Sequence, residues 1–405
     1  MTTNGNRRSL MILSFTLVVV MLGFGLVIPI FPFFIEELGA GGRQLGLLVA
    51  TSALLEFIFA PLWGGISDRI GRKPVLMIGI VGYGLSSLLF GLSTQLWMLF
   101  ASRALSGVLS SATLVTSLAY VGDTTTAEDR GKGMGILGAA MALGVILGPG
   151  LGGWLAGDSL STPFFVAAAL SMLALLLIFL LLPESLSPAG RRQGGGKIGS
   201  VNLHELWQAL LSPIGVLLLM VALFSFALTN FEAVFGLYAL KKFSYGPEQV
   251  GTILMVIAVV STVGKATMTG PATKRWGEPA VIKVSLLAGS VGFLALLLAN
   301  SYSTMLLATA FFILSKTLLR PAALALISKQ TMGGQGAAMG LSNSFISLGR
   351  IAGPVWAGFA FDANVNYPYL SGSAFMFIGF LLALVLIAPR GVEPPVEGAE
   401  KAGMA

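Results

Sequence analysis

Residues 131–157 read GKGMGILGAAMALGVILGPGLGGWLAG, and residues 336–362 read GAAMGLSNSFISLGRIAGPVWAGFAFD. Set one over the other, 205 positions apart, Gly131, Met134, Gly135, Leu143, Gly144, Ile146, Gly148, Pro149 and Gly153 meet identical residues. A second pair of segments agrees. The turn GGISDRIGRKP at 64–74 faces GPATKRWGEPA at 270–280, 206 positions on, with Gly64, Arg69 and Gly71 over Gly270, Arg275 and Gly277. Two distant segments sharing nearly one offset are hard to produce by composition alone, so the chain is a tandem repeat. Parallel repeats of membrane helices are a transporter architecture, with the binding site near the midplane between the halves.

The rest of the chain fits that reading. Of its 405 residues 55% are hydrophobic and only 10% charged, against about 25% charged in soluble domains. Each bilayer crossing needs about 20 mostly apolar residues. Such stretches lie near 10–34, 44–66, 75–92, 95–121, 133–157 and 163–182, then near 213–240, 248–270, 280–299, 303–328, 336–360 and 369–388. The expected fold is an all-α membrane protein with twelve transmembrane helices in two six-helix bundles, 1–182 and 213–390. Between them, 183–212 is rich in Gly, Ser and Pro, holds the only histidine (His204), and reads as a flexible cytoplasmic linker. Residues 391–405 form a cytoplasmic tail. The N-terminal run Leu10–Ile30 follows Arg7 and Arg8 as in a signal peptide, but it is too long for an h-region and reads as a first span.

The net charge of +7 reports orientation. Of 24 Lys and Arg, Arg43, Lys241 and Lys242 fall on one side and Arg103, Lys265, Lys316, Arg320 and Arg350 inside spans, leaving 16 on the other side. That bias makes the basic side cytoplasmic and removes the case for a nucleic-acid partner. With 0 Cys there is no disulfide, thiolate metal site or Cys nucleophile.

The turn at 64–73 resembles the signature loop of the major facilitator superfamily. Gly71 permits a tight turn, Asp68 is placed to accept from helix N-terminal N–H groups, and Arg69, Arg72 and Lys73 face the anionic leaflet. The resemblance implies a cytoplasmic gate of Gly64, Asp68, Arg69, Gly71, Arg72 and Lys73. The second copy has Lys274 for Asp68 and Glu278 for Arg72, so latch chemistry is expected only in the first. In the fifth span, Gly144 and Gly148 form a flat face for close helix contact, Pro149 removes a backbone hydrogen bond, and Gly152 and Gly153 follow. This resembles the antiporter motif of the superfamily's drug:proton antiporter branch, which seals the outer side. GFGLVIPIFP at 23–32, Phe231-Glu232 with Leu237-Tyr238, and Arg320-Pro321-Ala322 are similar to the multidrug exporters of Gram-positive bacteria. There the tenth span carries an acidic residue; here Thr317 stands at that place beside Lys316.

An ionisable residue inside a span costs about 3 kcal/mol or more by insertion scales, so each is a functional candidate. Glu56 lies twelve residues before Asp68, about 18 Å up the second span, where a carboxyl suits reversible protonation or substrate contact. Fixed helix glue is the alternative. Arg103 resembles the branch's fourth-span arginine, expected to tune a carboxylate, with Glu56 nearest in depth. By resemblance Glu232 meets cargo or protons. Proton coupling is thus expected of Glu56, Arg103 and Glu232. Substrate contact is expected of Phe24, Phe31, Glu56, Phe231, Glu232, Phe235, Lys316 and Arg350. Lys265 is near enough to the basic end to snorkel, and several cations on one cavity suit anionic or zwitterionic cargo.

The resemblance implies a proton-coupled exporter of amphipathic drugs or related small molecules, working by alternating access in a bacterial inner (plasma) membrane. It would be a monomer with both termini cytoplasmic, no metal and no cofactor beyond the proton gradient. The alternatives are the same fold moving a lipid, sugar or other metabolite, or an uptake symporter. A membrane enzyme or sensor is remote, since no clustered His or Asp and no phosphate-cradling loop is present.

Overall fold

Lipid offers no hydrogen bonds, so a spanning chain must satisfy its backbone within itself, and apolar runs of this length become helices. In the computed structural model, which describes residues 3–126, 128–157, 159–186, 203–212, 214–330 and 335–387, nearly every described residue is helical. The first half comprises α1 (Thr3–Val27), α2 (Phe31–Glu37), α3 (Gly42–Ile70), α4 (Arg72–Gly91), α5 (Leu96–Leu105), α6 (Ser111–Thr124), α7 (Arg130–Leu155) and α8 (Thr162–Leu181). After α9 (Leu203–Leu210) the second half comprises α10 (Gly215–Phe243), α11 (Pro247–Leu298), α12 (Tyr302–Thr317), α13 (Leu319–Gln330), α14 (Gln335–Ala363) and α15 (Tyr367–Leu386).

Ten helical segments are long and apolar enough to cross a membrane among the described residues. One of them, α11, has 52 residues and is two spans meeting at Gly277 (φ 75°, ψ 159°). The twelfth crossing is α14, which is less apolar because Ser342, Asn343, Ser344, Ser347 and Arg350 interrupt it. Gly277 repeats the first half's Gly71 (φ 111°, ψ 160°), which separates α3 from α4. Both are positive-φ positions that a side chain would strain.

Helices in lipid associate through close packing rather than hydrophobic expulsion, so small residues set the contacts. Span one lies against α7, where Gly148 meets the Gly25 backbone and Gly152 the Leu26 carbonyl. Its repeat counterpart sets α10 against α14, where Gly349 and Gly353 meet the Ala222 and Phe226 carbonyls. Each half has an aromatic centre. Phe31, Phe34, Phe90 and Phe164 cluster in the first half, and Phe231, Phe293, Phe312 and Tyr369 in the second.

Two expectations change here. Residues 203–210 of the supposed flexible linker form the helix α9, which buries Leu206 and Ala209 against the core of the second half. Arg191, Arg192 and Lys197 of the linker, and the tail 391–405, lie outside the described residues. Arg72, expected at the lipid headgroups, is only 7% exposed.

Candidate functional site: a charged cavity between the halves

The face carrying the 64–74 turn (the basic face) and the opposite face differ in how the halves meet. At the opposite face the backbones touch in two symmetric pairs. A Cβ placed on Gly46 would stand 2.2 Å from the Pro354 carbonyl oxygen, and one on Gly251 2.3 Å from that of Pro149. Gly42 against Gly358 and Gly153 against Pro247 complete the seal. Asp362 adds a carboxylate cap across the halves, accepting from the N–H groups of Gly42 (2.7 Å) and Arg43 (3.0 Å) at the start of α3. An anion there offsets the positive end of the helix. Arg43 stacks over Phe359 at 4.7 Å, and Lys241 pairs with Glu36 at 3.4 Å.

Toward the basic face the halves part. A cavity of about 300 Å³ lies between α3 and α6 on one side and α14 on the other. Phe57, Ala60, Pro61 and Val115 face Gly340, Asn343, Ser344 and Ser347 across it. Glu56 and Arg350 also line it, joined in a two-pronged ion pair at 3.2 and 3.3 Å. Each lies twelve residues from an end residue of its helix, Glu56 from Asp68 and Arg350 from Asp362, hence about 18 Å in.

Around that pair stand the remaining intramembrane charges. Arg103 donates to Ser52 of α3 and lies 4.8 Å over the Phe31 ring, with its Nε unpartnered among the described residues. The segment after Leu105, Ser106–Ser110, is a π-helical stretch in which Gly107 presses on the Ser52 carbonyl. Such stretches are frequent at functional sites. Glu232 is exposed on α10, and Lys316, Arg350 and Lys265 act on it electrostatically.

Twelve crossings in two repeats, one face sealed by glycines, and a charged cavity at mid-depth describe a transporter fold. The sequence profile of the Major Facilitator Superfamily matches residues 13–313 and 217–404. The chain belongs to the Major Facilitator Superfamily. Multidrug resistance protein 2 of Bacillus subtilis is 33% identical over 383 residues, covering 94% of this chain and 96% of that one. Quinolone resistance protein NorA of Staphylococcus aureus is 29% identical over 381 residues, covering 94% and 95%. Among solved structures, the nucleoside transporter NupG superposes with a TM-score of 0.79 at 14% identity, covering 94% of this chain and 100% of that one.

In this member of the superfamily, Asp68, Arg72 and Lys73 of the signature turn are held by partners of the first half. Asp68 does not cap a helix; it pairs with Arg72 at 2.6 Å, and Arg72 also binds Asp123 at 2.8 Å. Glu184 accepts from the N–H groups of Arg72 and Lys73, while Lys73 Nζ donates to the Phe179 carbonyl. Arg69 is exposed, and Gly64 lies by Val115.

The expectation that only the first copy carries such chemistry is corrected. Lys329 pairs with Glu278, which is 6% exposed. Glu278 and Lys329 stand 206 positions after Arg72 and Asp123, so the second half keeps the pair with its charges exchanged. The repeat offset could have flagged Asp123 and Lys329; no motif would. Asp362 and Glu184 carried no local signal either.

Other expected site residues are sorted by the fold. Of the expected charges Glu56 and Arg350 line the cavity, and the direct partner of Glu56 is Arg350 rather than Arg103. Phe231 and Phe235, expected at substrate, are each 1% exposed and point into the aromatic core of their half. Phe31 is buried beneath Arg103, whereas Phe24 is 40% exposed. Lys316 sits between the Phe231 and Phe312 rings, at 5.7 and 4.9 Å. Lys265, expected to snorkel, is exposed. The fifth-span motif is divided in its work. Gly144, Gly148 and Gly152 hold α1, while Pro149 and Gly153 meet α11 in the seal.

Proposed function

We propose that this protein exports amphipathic small molecules, drugs among them, from a bacterial cell in exchange for protons. The observation that carries the reading is the cavity at the Glu56–Arg350 pair, open toward the basic face while the opposite face is closed. The positive-inside bias makes the basic face cytoplasmic, so this is the inward-open state, and both termini lie in the cytoplasm. The names of the Bacillus and Staphylococcus relatives support drug export. The two halves rock about the midplane: the glycine seal parts, the 64–73 turn engages as the cytoplasmic gate, and cargo leaves on the outer side.

Protons enter through carboxylates. Glu232, without an ion pair or hydrogen bond among the described residues, is the group free to exchange one with cargo. Glu56 exchanges its proton only as Arg350 lets go, which ties protonation to the separation of the halves. Arg103 stays charged and holds α3 and α5 together near them. About 100 mV plus one pH unit supplies about 3.7 kcal/mol per proton, sufficient for a gradient of a few hundredfold.

Reconstitution into proteoliposomes with and without a pH gradient tests the reading. Gradient-driven efflux at least about tenfold above the collapsed-gradient rate is expected, and gradient-independent transport overturns it. Glu232→Gln is expected to lose the gradient dependence while cargo still binds. Glu56→Gln is expected to weaken the link between the halves and reduce turnover; if both variants transport normally, the proton carrier lies elsewhere.

A further inference from the structure

The two seams that close the outer face are related by the repeat but are not chemically alike. At the start of α3 the chain reads Gly41-Gly42-Arg43-Gln44, and at the start of α11, 205 positions on, Gly246-Pro247-Glu248-Gln249. Each helix begins on a glycine whose N–H donates to the glutamine three residues later, at 3.1 and 2.9 Å. A glycine has no side-chain oxygen to accept from the next N–H groups, which the first turn of a helix leaves free. The helix α11 meets that need from its own residues. Pro247 has no N–H to satisfy, and Glu248 sets an acid at the positive end of the helix. The helix α3 has Gly42 and Arg43 at those places and no acid in its first turn. It carries two free N–H groups, with a cation where an anion is favoured.

The missing acceptor comes from the other half. Asp362, in the last turn of α14, takes both N–H groups, that of Gly42 at 2.7 Å and that of Arg43 at 3.0 Å. Its repeat counterpart is Gly157, where an added Cβ would meet only the Trp154 carbonyl among the described residues. The α7–α11 seam therefore receives no side chain at the position from which Asp362 reaches across the α3–α14 seam. A cap supplied from the other half lasts only while the outer face is shut. When the halves rock apart, the Gly42 and Arg43 N–H groups and the Asp362 carboxylate must each turn to water. The helix α11 leaves its seam with Pro247 and Glu248 still in place.

From this trans cap we infer that Asp362 is a charge-dependent latch of the outer gate, holding α3 to α14 and favouring the inward-open state. It rests on the alternating-access reading above and adds the residue that sets the resting balance of the two states. Asp362 does not line the cavity, so it is a positioning residue that acts on transport only through that balance. The carboxylate is exposed and water competes for it, so the latch is modest, as suits a gate that must open in every cycle.

The test uses the full-length protein in proteoliposomes with spin labels on Thr94→Cys and Asn300→Cys. These positions are repeat counterparts in the turns after Gly91 and Leu298, at the outer ends of the two halves. The distribution of distances between the labels gives the ratio of outer-closed to outer-open protein. Asp362→Asn keeps the shape and loses the charge, and is expected to lower that ratio about fivefold. Asp362→Gly, which copies Gly157, is expected to lower it at least as far, and Asp362→Glu to retain most of it. Glu248→Gln, which alters the cap that α11 carries in itself, is expected to leave the ratio unchanged. Arg43→Glu added to Asp362→Asn gives α3 an acid in its own first turn, as α11 has, and is expected to leave the outer face as loose as Asp362→Asn does. Return of the closed population in that double variant would show that Asp362 only stabilises α3, and would overturn the latch. Two populations whose ratio ignores Asp362→Asn and Asp362→Gly also overturn it and leave the exporter standing. One unvarying distance in every variant, with or without a pH gradient, counts against the latch and the rocking of the halves alike.

Discussion

Gly46→Ala and Gly251→Ala are each expected to lower transport at least about tenfold while leaving membrane insertion intact. At these positions α3 meets α14 and α11 meets α7, and an added Cβ would stand 2.2 or 2.3 Å from the Pro354 or Pro149 carbonyl oxygen. Neither obstacle is a flexible side chain, so whole helices must separate. Overpacking of this kind costs about 1–3 kcal/mol, and it falls only on the state in which the opposite face is closed. A cost of about 1.4 kcal/mol shifts the balance between states tenfold. Alanine favours an isolated helix over glycine by about 1 kcal/mol, so a loss here cannot come from helix propensity. Gly135→Ala, where nothing lies within 4 Å of the added atom, is the control and is expected to transport normally. Because the chain has 0 Cys, a single introduced cysteine pair spanning the opposite face can carry spin labels. The distance between them is expected to lengthen in both variants. An unchanged distance with normal transport would exclude this seal.

Arg72→Glu is expected to destroy function, and the triple variant Asp68→Lys, Arg72→Glu, Asp123→Lys to restore most of it. Arg72 is buried and holds two carboxylates, so reversing it sets three negative charges together. Breaking a buried pair costs about 3–5 kcal/mol, less here because Asp68 is half exposed and Asp123 a quarter. The rescue is expected because the second half already uses the exchanged arrangement: Lys274, Glu278 and Lys329 stand 206 positions on from Asp68, Arg72 and Asp123. The yield of monodisperse protein and the transport rate measure it. Failure of the triple variant with normal yield would show that the sign of the charge, and not only its pairing, matters to the first half's turn.

Much of this arrangement is legible in the order of the residues. Apolar runs near 20 residues can only become spanning helices, because lipid supplies no partners for free backbone groups. The offsets of 205 and 206 predict the two-fold repetition that reappears in Gly71 with Gly277, and in Gly46–Pro354 with Gly251–Pro149. Seven charges inside spans mark the site region, since their cost in lipid demands a use.

Which way each of those side chains points is not legible there. A step of one residue turns a helix by about 100°, so Glu232 is exposed while Phe231 beside it is buried in the aromatic core. The seventh span is apolar all round, and no periodicity separates its lipid, core and cavity sides. The helices, their number, their repetition and the presence of costly charges follow from local composition and from what lipid excludes, so the residue order suffices for them. The partners are settled by packing alone. Glu56 takes Arg350 rather than Arg103, Arg72 takes Asp123 as well as Asp68, and Lys316 is left between two rings. Each of those outcomes depends on angstrom-scale approach between residues up to 294 positions apart, which packing sets and no local pattern encodes.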